Sequence, residues 1–432
     1  MKVAFYTLGC KVNSYETEAV MEKFMEKGYE IVDFDGFSDV YVVNSCMVTN
    51  TGEKKSKQII RRPLNHNPEA IVIVMGCLSQ LKAEEIISIP GVKIVVGTKN
   101  REKLVEYLEE YLTNKKPINK VSDLNKEEKY DALSINDFKT QKRAFLKIQD
   151  GCNNFCTYCI IPYTRGRIRS KSKDLILEEV EQLVLHGHIE VVLTGIHTGG
   201  YGADLSDYSF AELLSDLEKI DGLKRIRISS IEITELDEKV LSVISKSKKI
   251  VHHLHVPLQS GTDRILKLMN RKYTTGEYLS MIERIRMQMP DVAFTTDVIV
   301  GFPGETEADF NEAYDFIKKV GFQELHVFPY SRREGTVADK MPNQNDGKTK
   351  KIRVHKLIDL SNQLMVEHVK SSIGKTLQVI AEQEKDGYLI GHSRDYIALK
   401  FKGDLKLLGK EVKVQVISAE KPYNLGVLIN EK

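Results

Sequence analysis

Three cysteines crowded into one short segment constrain this chain more than any other feature. Residues 152–159 read CNNFCTYC, so Cys152, Cys156 and Cys159 stand at C-x3-C-x2-C spacing. A loop with this spacing can turn three thiolates toward one point, and cysteine thiolates hold iron–sulfur clusters. Three protein ligands leave one iron of a four-iron cluster without a protein ligand. Catalytic zinc sites differ from structural ones in the same way, because they keep one coordination position open. The segment therefore predicts a [4Fe-4S] cluster with one iron free to bind a substrate or cofactor.

Three other interpretations of this loop compete with a cluster. A structural zinc site needs a fourth Cys or His, and the nearest histidines, His66 and His186, lie well outside the loop. Disulfides require an oxidising compartment, but the opening residues MKVAFYTLGC lack the apolar core of a signal peptide. Buried inert thiols need no regular spacing. No apolar run approaches the roughly 20 residues of a membrane helix. We therefore expect a cytoplasmic protein without membrane association.

Residues 1–113 alternate short apolar runs with amphipathic stretches, which predicts a parallel sheet with helices on its faces. The predicted strands cover 2–8, 39–45, 70–76 and 92–97. Cys10, Cys46 and Cys77 each follow one of the first three strands directly. Because ligands bind beside the carboxyl ends of parallel strands, these cysteines can converge on a second cluster. The alternative is three separate buried thiols, since free cysteine is often buried.

Residues 114–141 are polar and charged, and predict a linker between domains. Residues 142–370 resume the alternation of strands and helices. The predicted strands cover 144–149, 190–195, 225–230, 252–257, 293–301 and 324–330. Six such units predict an incomplete (β/α)6 barrel with its active site at the carboxyl ends of the strands. The CNNFCTYC loop directly follows the first of these strands.

Polar residues at the other strand ends are candidates for holding a cofactor. Thr194 and Gly195 end the second strand, and glycine lets backbone groups approach a ligand. Ser229 and Glu232 end the third strand and could hydrogen-bond ribose hydroxyls, although helix capping explains them equally well. In the HHLH segment, His252 points away from His253 and His255, which favours structural roles for these histidines.

Residues 371–432 change character to short alternating strands, which predicts a small antiparallel β-barrel. This stretch holds ten Lys and Arg against eight Asp and Glu, and the whole chain has a net charge of +2. Neither balance demands or excludes a nucleic-acid partner. An RNA-binding role for the small barrel therefore needs local features, such as a positive groove with stacking aromatic side chains.

The cysteine segments also carry a family resemblance. CNNFCTYC, followed by IIPYTRGRIRS at 160–170, and LGCKVNSYETE at 8–18 resemble the methylthiotransferase family of radical S-adenosylmethionine (SAM) enzymes. The resemblance implies two [4Fe-4S] clusters, a radical SAM barrel and a C-terminal TRAM domain that binds RNA. It implies that the barrel cluster cleaves SAM to a 5′-deoxyadenosyl radical, and that the N-terminal cluster carries the sulfur.

Further segments extend the resemblance into the SAM pocket. It implies that Thr194 and Gly195 adjoin the methionine moiety, that Gln259 lies near the cofactor and that Val300 packs against the adenine. The stretch TTDVIVGFPGETEADF (295–310) fits the general G-x-I-x-G-x-x-E pattern only loosely, because Asp297 replaces the first glycine and Glu305 falls one residue late.

GCKVNSYETE and LTGIHTGGYG (193–202) resemble the bacterial branch that adds a 2-methylthio group to N6-threonylcarbamoyladenosine at position 37 of tRNA. Relatives that act on isopentenyladenosine more often read GCQMN, and those that act on a ribosomal protein aspartate read LGCPKN. These two substrates are the alternatives. The implied partners are a tRNA anticodon loop, an electron donor such as flavodoxin or ferredoxin, and a sulfur source. An alternative of a different class is an RNA-binding iron–sulfur protein that catalyses no reaction. This alternative is disfavoured because the SAM-pocket segments would then have no function.

Overall fold

The amino-terminal part of the chain forms a six-stranded, all-parallel sheet in a computed structural model that describes residues 1–124, 130–131 and 133–429. The strands are β1 (Lys2–Thr7), β2 (Glu30–Val32), β3 (Val40–Ser45), β4 (Ile71–Gly76), β5 (Val92–Val96) and β6 (Ile118–Lys120). The helices are α1 (Lys11–Glu26), α2 (Asn50–Arg61), α3 (Cys77–Leu81), α4 (Ala83–Ile87) and α5 (Leu104–Asn114). The six strands are arranged in the sheet in the order β2-β1-β3-β4-β5-β6. The two central strands β3 and β4 are buried along their whole length, as expected for apolar strands covered on both faces.

The stretch 114–141 differs from the predicted linker. Its residues Ile118–Lys120 form strand β6 and pair in parallel with β5. Leu133, Ile135 and Phe138 are almost completely buried in the core that the first sheet shares with the barrel. The sequence pattern does not reveal these few buried apolar residues, because polar residues separate each one from the next. The described residues of this stretch therefore pack against both domains, whereas residues 125–129 and 132 lie outside the described part of the chain, and the exact domain boundaries remain predictions.

The central part of the chain forms the predicted incomplete barrel. Its strands are β7 (Ala144–Lys147), β10 (Glu190–Thr194), β11 (Arg225–Ile228), β12 (His253–His255), β13 (Ala293–Val300) and β14 (Glu324–Pro329). All pair in parallel, in two groups, β7-β10-β11 and β12-β13-β14. Single bridges, Ile226 to Ile250 and Ser230 to His255, connect β11 to the β12 side. Between β7 and β10 the short strands β8 (Gln149–Asp150) and β9 (Arg169–Ser170) pair antiparallel and carry the CNNFCTYC loop between them.

The barrel helices cover the outer face of these strands. They are α6 (Ile161–Arg165), α7 (Lys173–Leu185), α8 (Phe210–Leu217), α9 (Glu238–Lys246), α10 (Asp263–Leu268), α11 (Thr275–Gln288), α12 (Glu307–Val320) and α13 (Gly347–Lys370). Several of these helices begin directly after a residue whose side chain caps the helix start. Thr274, for example, accepts a hydrogen bond from the Glu277 backbone, and the Glu277 carboxylate accepts one from the Thr274 backbone.

The carboxyl-terminal strands form a closed barrel in the order β15-β16-β17-β19-β18. They are β15 (Thr376–Lys385), β16 (Tyr388–Ser393), β17 (Ala398–Phe401), β18 (Glu411–Ser418) and β19 (Asn424–Leu428). All pairs are antiparallel except β17 with β19. A small separate core that includes Val379, Leu399 and Phe401 fills it. The predicted three-part α/β architecture with a terminal β-barrel is confirmed. Among the described residues, no helix is both long and apolar enough to cross a membrane.

Candidate functional site

The three amino-terminal cysteines lie at one edge of the first sheet. Cys46 and Cys77 directly follow β3 and β4, and Cys10 lies three residues after the end of β1, the neighbour of β3. Gly9 has a φ of +110°, and a Cβ placed on it would lie 3.2 Å from the Cys46 sulfur. Only glycine readily adopts this conformation, and its missing side chain lets the Cys10 loop approach Cys46.

The thiols of this group influence one another electrostatically. Burial first, and then Cys77 and Cys10, raise the pKa of Cys46 to about 11. Burial likewise raises the pKa of Cys10, with Cys77 acting in the same direction and the Arg165 guanidinium opposing it. All three cysteines are free thiols. A cationic metal centre would reverse this effect, because it stabilises the thiolate form.

The barrel cysteines lie in a tight loop at the carboxyl end of the first barrel strand. The Cys159 backbone N–H donates to the Cys156 carbonyl at 3.0 Å, and the Asn154 N–H donates to the Cys152 sulfur at 3.4 Å. Burial, followed by Cys156 and Cys152, raises the pKa of Cys159 to about 12. The sulfurs of Cys152 and Cys156 therefore lie within electrostatic range of the Cys159 sulfur, and their convergence on one cluster stays a prediction.

Both cysteine groups fit a multi-iron cluster better than a single ion. Zinc bound at about 2.3 Å holds its tetrahedral sulfur ligands only about 3.8 Å apart. In the part of the chain that the structure describes, the only trio of ligand atoms within 4.8 Å of one another belongs to His255, Asp297 and His326. The three sulfurs of each cysteine group therefore do not all lie within 4.8 Å of one another, and each group supplies three thiolates, one fewer than the irons of a four-iron cluster.

Arg271 contacts the barrel cysteines, and the sequence did not single it out. Its guanidinium donates to the Cys156 sulfur at 3.4 Å and forms an ion pair with Glu232. Glu232 also begins a short helical turn, where its side chain and that of Glu235 cap each other's backbone. The Glu232 carboxylate is therefore engaged with protein groups, and its predicted contact with a ribose stays a prediction.

The other residues predicted to contact the cofactor lie at the carboxyl ends of the barrel strands, and they differ in how far their side chains are buried. The Thr194 hydroxyl donates to the Val192 carbonyl at 3.0 Å, and a Cβ on Gly195 would come within 2.9 Å of Gln149. Ser229 is nearly buried at the end of β11. The Val300 side chain packs into the main hydrophobic core. A ligand in the lumen could therefore contact only the Val300 backbone and the neighbouring residues that face the lumen.

Gln259 lies in the barrel opening in a left-handed backbone conformation, with a φ of +64°. Its backbone N–H donates to the Asp297 carbonyl at 2.8 Å, and the two residues line the same cavity. That cavity has a volume of about 230 Å³ and is bounded by Cys159 on one side and by Thr49, from the loop after Cys46, on another. Tyr158 and Phe328 complete its walls. The chamber thus lies between the barrel cysteine loop and the loop that follows Cys46.

A buried ionic network joins these domains beside the chamber. The completely buried Glu16 of α1 lies 2.8 Å from the Lys147 ammonium and 2.7 Å from the Arg165 guanidinium, and it also pairs with Arg101. Asp150 binds the same Lys147 at 2.6 Å. Burial alone would raise the pKa of Glu16, but the three cations hold it far below its usual range. The network fixes α1, which directly follows Cys10, against the strand that precedes CNNFCTYC.

Polar side chains of three adjacent strands face the barrel lumen below this chamber. Asp297 of β13 lies 3.3 Å from His255 of β12 and 3.4 Å from His326 of β14. The two imidazole rings stack with their centroids 5.2 Å apart. His253 instead stacks on Tyr396 of the terminal barrel. Of the two histidines on this face of the HHLH strand, only His255 lies in a polar group that could hold a ligand.

Comparison with known proteins gives consistent results for the whole chain. The family model described as the radical SAM superfamily matches residues 146–317, and the model described as uncharacterized protein family UPF0004 matches residues 2–97. The threonylcarbamoyladenosine tRNA methylthiotransferase MtaB of Bacillus subtilis (strain 168) is 49% identical, and the alignment covers 99% of this chain and 96% of that protein. The protein of the same name from Aquifex aeolicus (strain VF5) is 40% identical, over 96% of this chain and 100% of that protein.

Among relatives that are 36% identical, some carry the same name and others carry a different substrate in their names. The tRNA-2-methylthio-N(6)-dimethylallyladenosine synthase of Pelotomaculum thermopropionicum is 36% identical over 99% of this chain and 97% of that protein. Among solved structures, the radical SAM methyltransferase TsrM of Kitasatospora setae, with cobalamin and a [4Fe-4S] cluster bound, superposes with a TM-score of 0.58. The superposition covers 90% of this chain and 80% of the TsrM chain at 12% sequence identity, which indicates a shared fold.

Proposed function

Since this chain belongs to the methylthiotransferase family of radical SAM enzymes, we propose that it adds a 2-methylthio group to N6-threonylcarbamoyladenosine at position 37 of tRNA. The observation that carries this proposal is the 49% identity, along nearly the whole chain, to a relative named for that reaction. The relatives named for dimethylallyladenosine are 36% identical, which makes that base the second candidate. The protein is an enzyme that uses SAM and [4Fe-4S] clusters.

The arrangement of the six cysteines supports this reaction. Carbon 2 of adenine bears a strong, non-acidic C–H bond, which an ordinary general base cannot break. When bound, the cofactors supply a carbon radical able to remove that hydrogen, and a sulfur atom to replace it. We infer that Cys152, Cys156 and Cys159 hold the cluster that binds SAM, and that Cys10, Cys46 and Cys77 hold the cluster that carries sulfur.

The protein's own part is to bring both centres to one base and to exclude water. One cavity is lined both by Cys159 of the barrel loop and by Thr49 of the loop that follows Cys46, which supports this role. Its other walls include Ile299 and Phe328, whose apolar side chains suit a flat aromatic base and keep water from the reacting carbon. Arg271, which contacts Cys156 and Glu232, holds the cysteine loop in place.

The terminal β-barrel is suited to holding the RNA. It is anchored to the central barrel through Arg225, which donates to the Gln378 carbonyl at 2.8 Å and pairs with Glu411 at 2.7 Å. On its outer face, the Lys402 ammonium lies 4.0 Å from the Tyr388 ring centroid. Such a pairing of aromatic and basic groups is typical of surfaces that bind single-stranded RNA. We infer that this module grips the anticodon arm, while flavodoxin or ferredoxin serves as electron donor and a separate source supplies sulfur.

Mass spectrometry of tRNA nucleosides from cells with and without the gene tests the proposed reaction. Loss of the 2-methylthio form, with accumulation of threonylcarbamoyladenosine, is the expected result. If the methylthio form of dimethylallyladenosine disappears instead, the reaction type stands but the substrate is wrong. An unchanged tRNA profile contradicts the proposal and points to a ribosomal protein substrate.

A further inference from the structure

Three side chains on neighbouring barrel strands have the spacing of metal ligands. Nε2 of His255, on β12, lies 3.3 Å from Oδ1 of Asp297, on β13. Nδ1 of His326, on β14, lies 3.4 Å from the same oxygen. All three ligand atoms lie within 4.8 Å of one another, and among residues 1–124, 130–131 and 133–429 no other trio of His, Cys, Asp or Glu side chains does so. The trio therefore meets the first requirement of a metal site.

The register of the strands brings these three residues together. Asp297 is paired directly with His326 in the parallel ladder of β13 and β14. His255 is paired with Thr295, which lies two residues before Asp297 and therefore on the same face of β13. Each ligand thus stands on regular strand backbone, which holds side chains in place more precisely than a loop does. The spacing of the trio is a property of the barrel wall itself.

The separations within the trio suit a metal ion better than direct hydrogen bonds. A charge-assisted hydrogen bond measures about 2.7–2.9 Å between nitrogen and oxygen. Imidazole and carboxylate groups bind zinc at about 2.0–2.1 Å, so a tetrahedral ion holds neighbouring ligand atoms about 3.3–3.4 Å apart. The two imidazole nitrogens lie at this spacing from the Asp297 oxygen, at 3.3 and 3.4 Å. Both rings therefore approach one carboxylate oxygen at the distance that a shared ion imposes.

Thr295 holds the His255 ring in an orientation that suits metal binding. The Thr295 hydroxyl lies 2.9 Å from His255 Nδ1 and 3.1 Å from Nε2 of His253. The hydroxyl can accept a hydrogen bond from His255 Nδ1–H and donate one to His253. The Nε2 lone pair of His255 then faces the Asp297 carboxylate. Histidines that bind metals are typically fixed in this way, by a hydrogen bond from the other ring nitrogen.

The trio is accessible from one side and lies directly below the chamber. His255 and Asp297 are partly buried, whereas the His326 side chain is 47% exposed, which gives an ion access. Asp297 itself lines the chamber. The next pair toward the carboxyl ends of the same two strands, Ile299 and Phe328, also lines it. An ion held by three protein groups keeps a coordination position open for water or another oxygen donor.

We propose that His255, Asp297 and His326 bind a divalent first-row metal ion at a site distinct from the six cysteines. Two imidazoles and one carboxylate suit zinc or ferrous iron, whereas magnesium and calcium prefer oxygen ligands. The bound ion links β12, β13 and β14 directly below the chamber. The site is independent of which nucleoside is the substrate, because all three ligands belong to the protein.

Zinc binding to the cluster-loaded protein tests this site. The clusters occupy the cysteines in this form, so zinc has no free thiolates to bind. The protein is dialysed without oxygen against buffered free zinc up to micromolar concentration, and zinc and iron are counted in the same sample by mass spectrometry. We expect the wild-type protein to bind one zinc ion per chain in addition to the cluster iron. X-ray absorption at the zinc edge should show nitrogen and oxygen ligands at about 2.0–2.1 Å and no sulfur at about 2.3 Å.

Single substitutions should weaken zinc binding in a graded way. Loss of a group that only orients a ligand costs about 10- to 100-fold in metal affinity, and Thr295→Val should fall in this range. Asp297→Ala and His326→Ala each remove a ligand and should lose more than about 100-fold. His252→Ala is the matched control, because His252 also faces an aspartate, Asp291, at 2.8 Å but lies outside the trio. It should bind zinc as the wild type does. The iron content shows whether each variant is folded and loaded.

Three results would overturn the site. Wild-type protein that binds no additional zinc at micromolar free zinc would show that the trio holds no ion. Sulfur among the ligands of the zinc would place the ion at the cysteines instead. Equal zinc affinity in the wild type, Asp297→Ala and His326→Ala would show that zinc binds only adventitiously. Failure of the proposed function is distinguishable from all three, because none of these measurements follows methylthiolation.

Discussion

Glu16→Gln is expected to weaken the junction between the amino-terminal domain and the barrel. The Glu16 carboxylate is fully buried and pairs with Arg101, Lys147 and Arg165. Glutamine has almost the same shape, so the substitution removes one negative charge and little packing. The three cations then share only two anions, Asp150 and Asp131, which are bound within the same network.

The magnitude follows from the burial of this network. Removing one partner of a buried ion pair leaves an uncompensated charge and costs about 3–5 kcal/mol. At a urea dependence of about 2–3 kcal/mol/M, this shifts the unfolding midpoint down by about 1–2.5 M. The cations hold the pKa of Glu16 far below its usual range. Its stabilising effect is therefore fully present above the unfolded pKa of about 4.3 and is lost only as the pH falls below it.

Urea unfolding followed by circular dichroism at pH 7 measures this effect. Glu26→Gln is the control, because Glu26 lies on the same helix but is exposed, and it should shift stability by less than about 0.5 kcal/mol. The difference between wild type and Glu16→Gln should stay constant from about pH 5 to 8 and shrink in acid. A loss below about 1 kcal/mol at pH 7 would refute the assigned role of the network.

Two further predictions concern other buried charges. Arg227 and Arg143 overcome the effect of burial and lower the pKa of Glu190 to about 2, so its stabilisation is lost as the pH falls from about 4.3 toward 2. Thermal unfolding between pH 2.5 and 6 should therefore depend less steeply on pH in Glu190→Gln, and identical slopes would contradict this. Arg271→Met removes the guanidinium beside the Cys156 sulfur and should slow formation of 5′-deoxyadenosine by about 10- to 100-fold, typical of groups that orient metal ligands. Unchanged cleavage of SAM would show that Arg271 has no such role.

The sequence predicts the elements that carry the chemistry because those elements are strongly patterned. Four continuous apolar runs in the amino-terminal domain and six in the barrel all become strands, and each cysteine follows one. Strands β2 and β6, of three residues each, are missed because so short a run carries no measurable periodicity. The segment 114–141 is misread for a similar reason, since its buried residues stand singly among polar ones.

Side-chain partners from distant parts of the chain are what sequence alone does not reveal. Glu16 and Arg165 are 149 residues apart, and Arg271 and Cys156 are 115 apart. Each residue alone is an ordinary charged group, and only the folded geometry shows that it is buried and paired.

Parallel assays of the Cys156→Ala and Cys46→Ala variants test the division of labour between the two cysteine groups most directly. Reduced, reconstituted protein is supplied with SAM and a stem-loop that carries threonylcarbamoyladenosine, and both 5′-deoxyadenosine and the methylthio nucleoside are quantified. Cys156→Ala should form neither product. Cys46→Ala should still form 5′-deoxyadenosine but no methylthio nucleoside. Retained 5′-deoxyadenosine formation in Cys156→Ala, or normal methylthio product in Cys46→Ala, would contradict the roles assigned to these two sites.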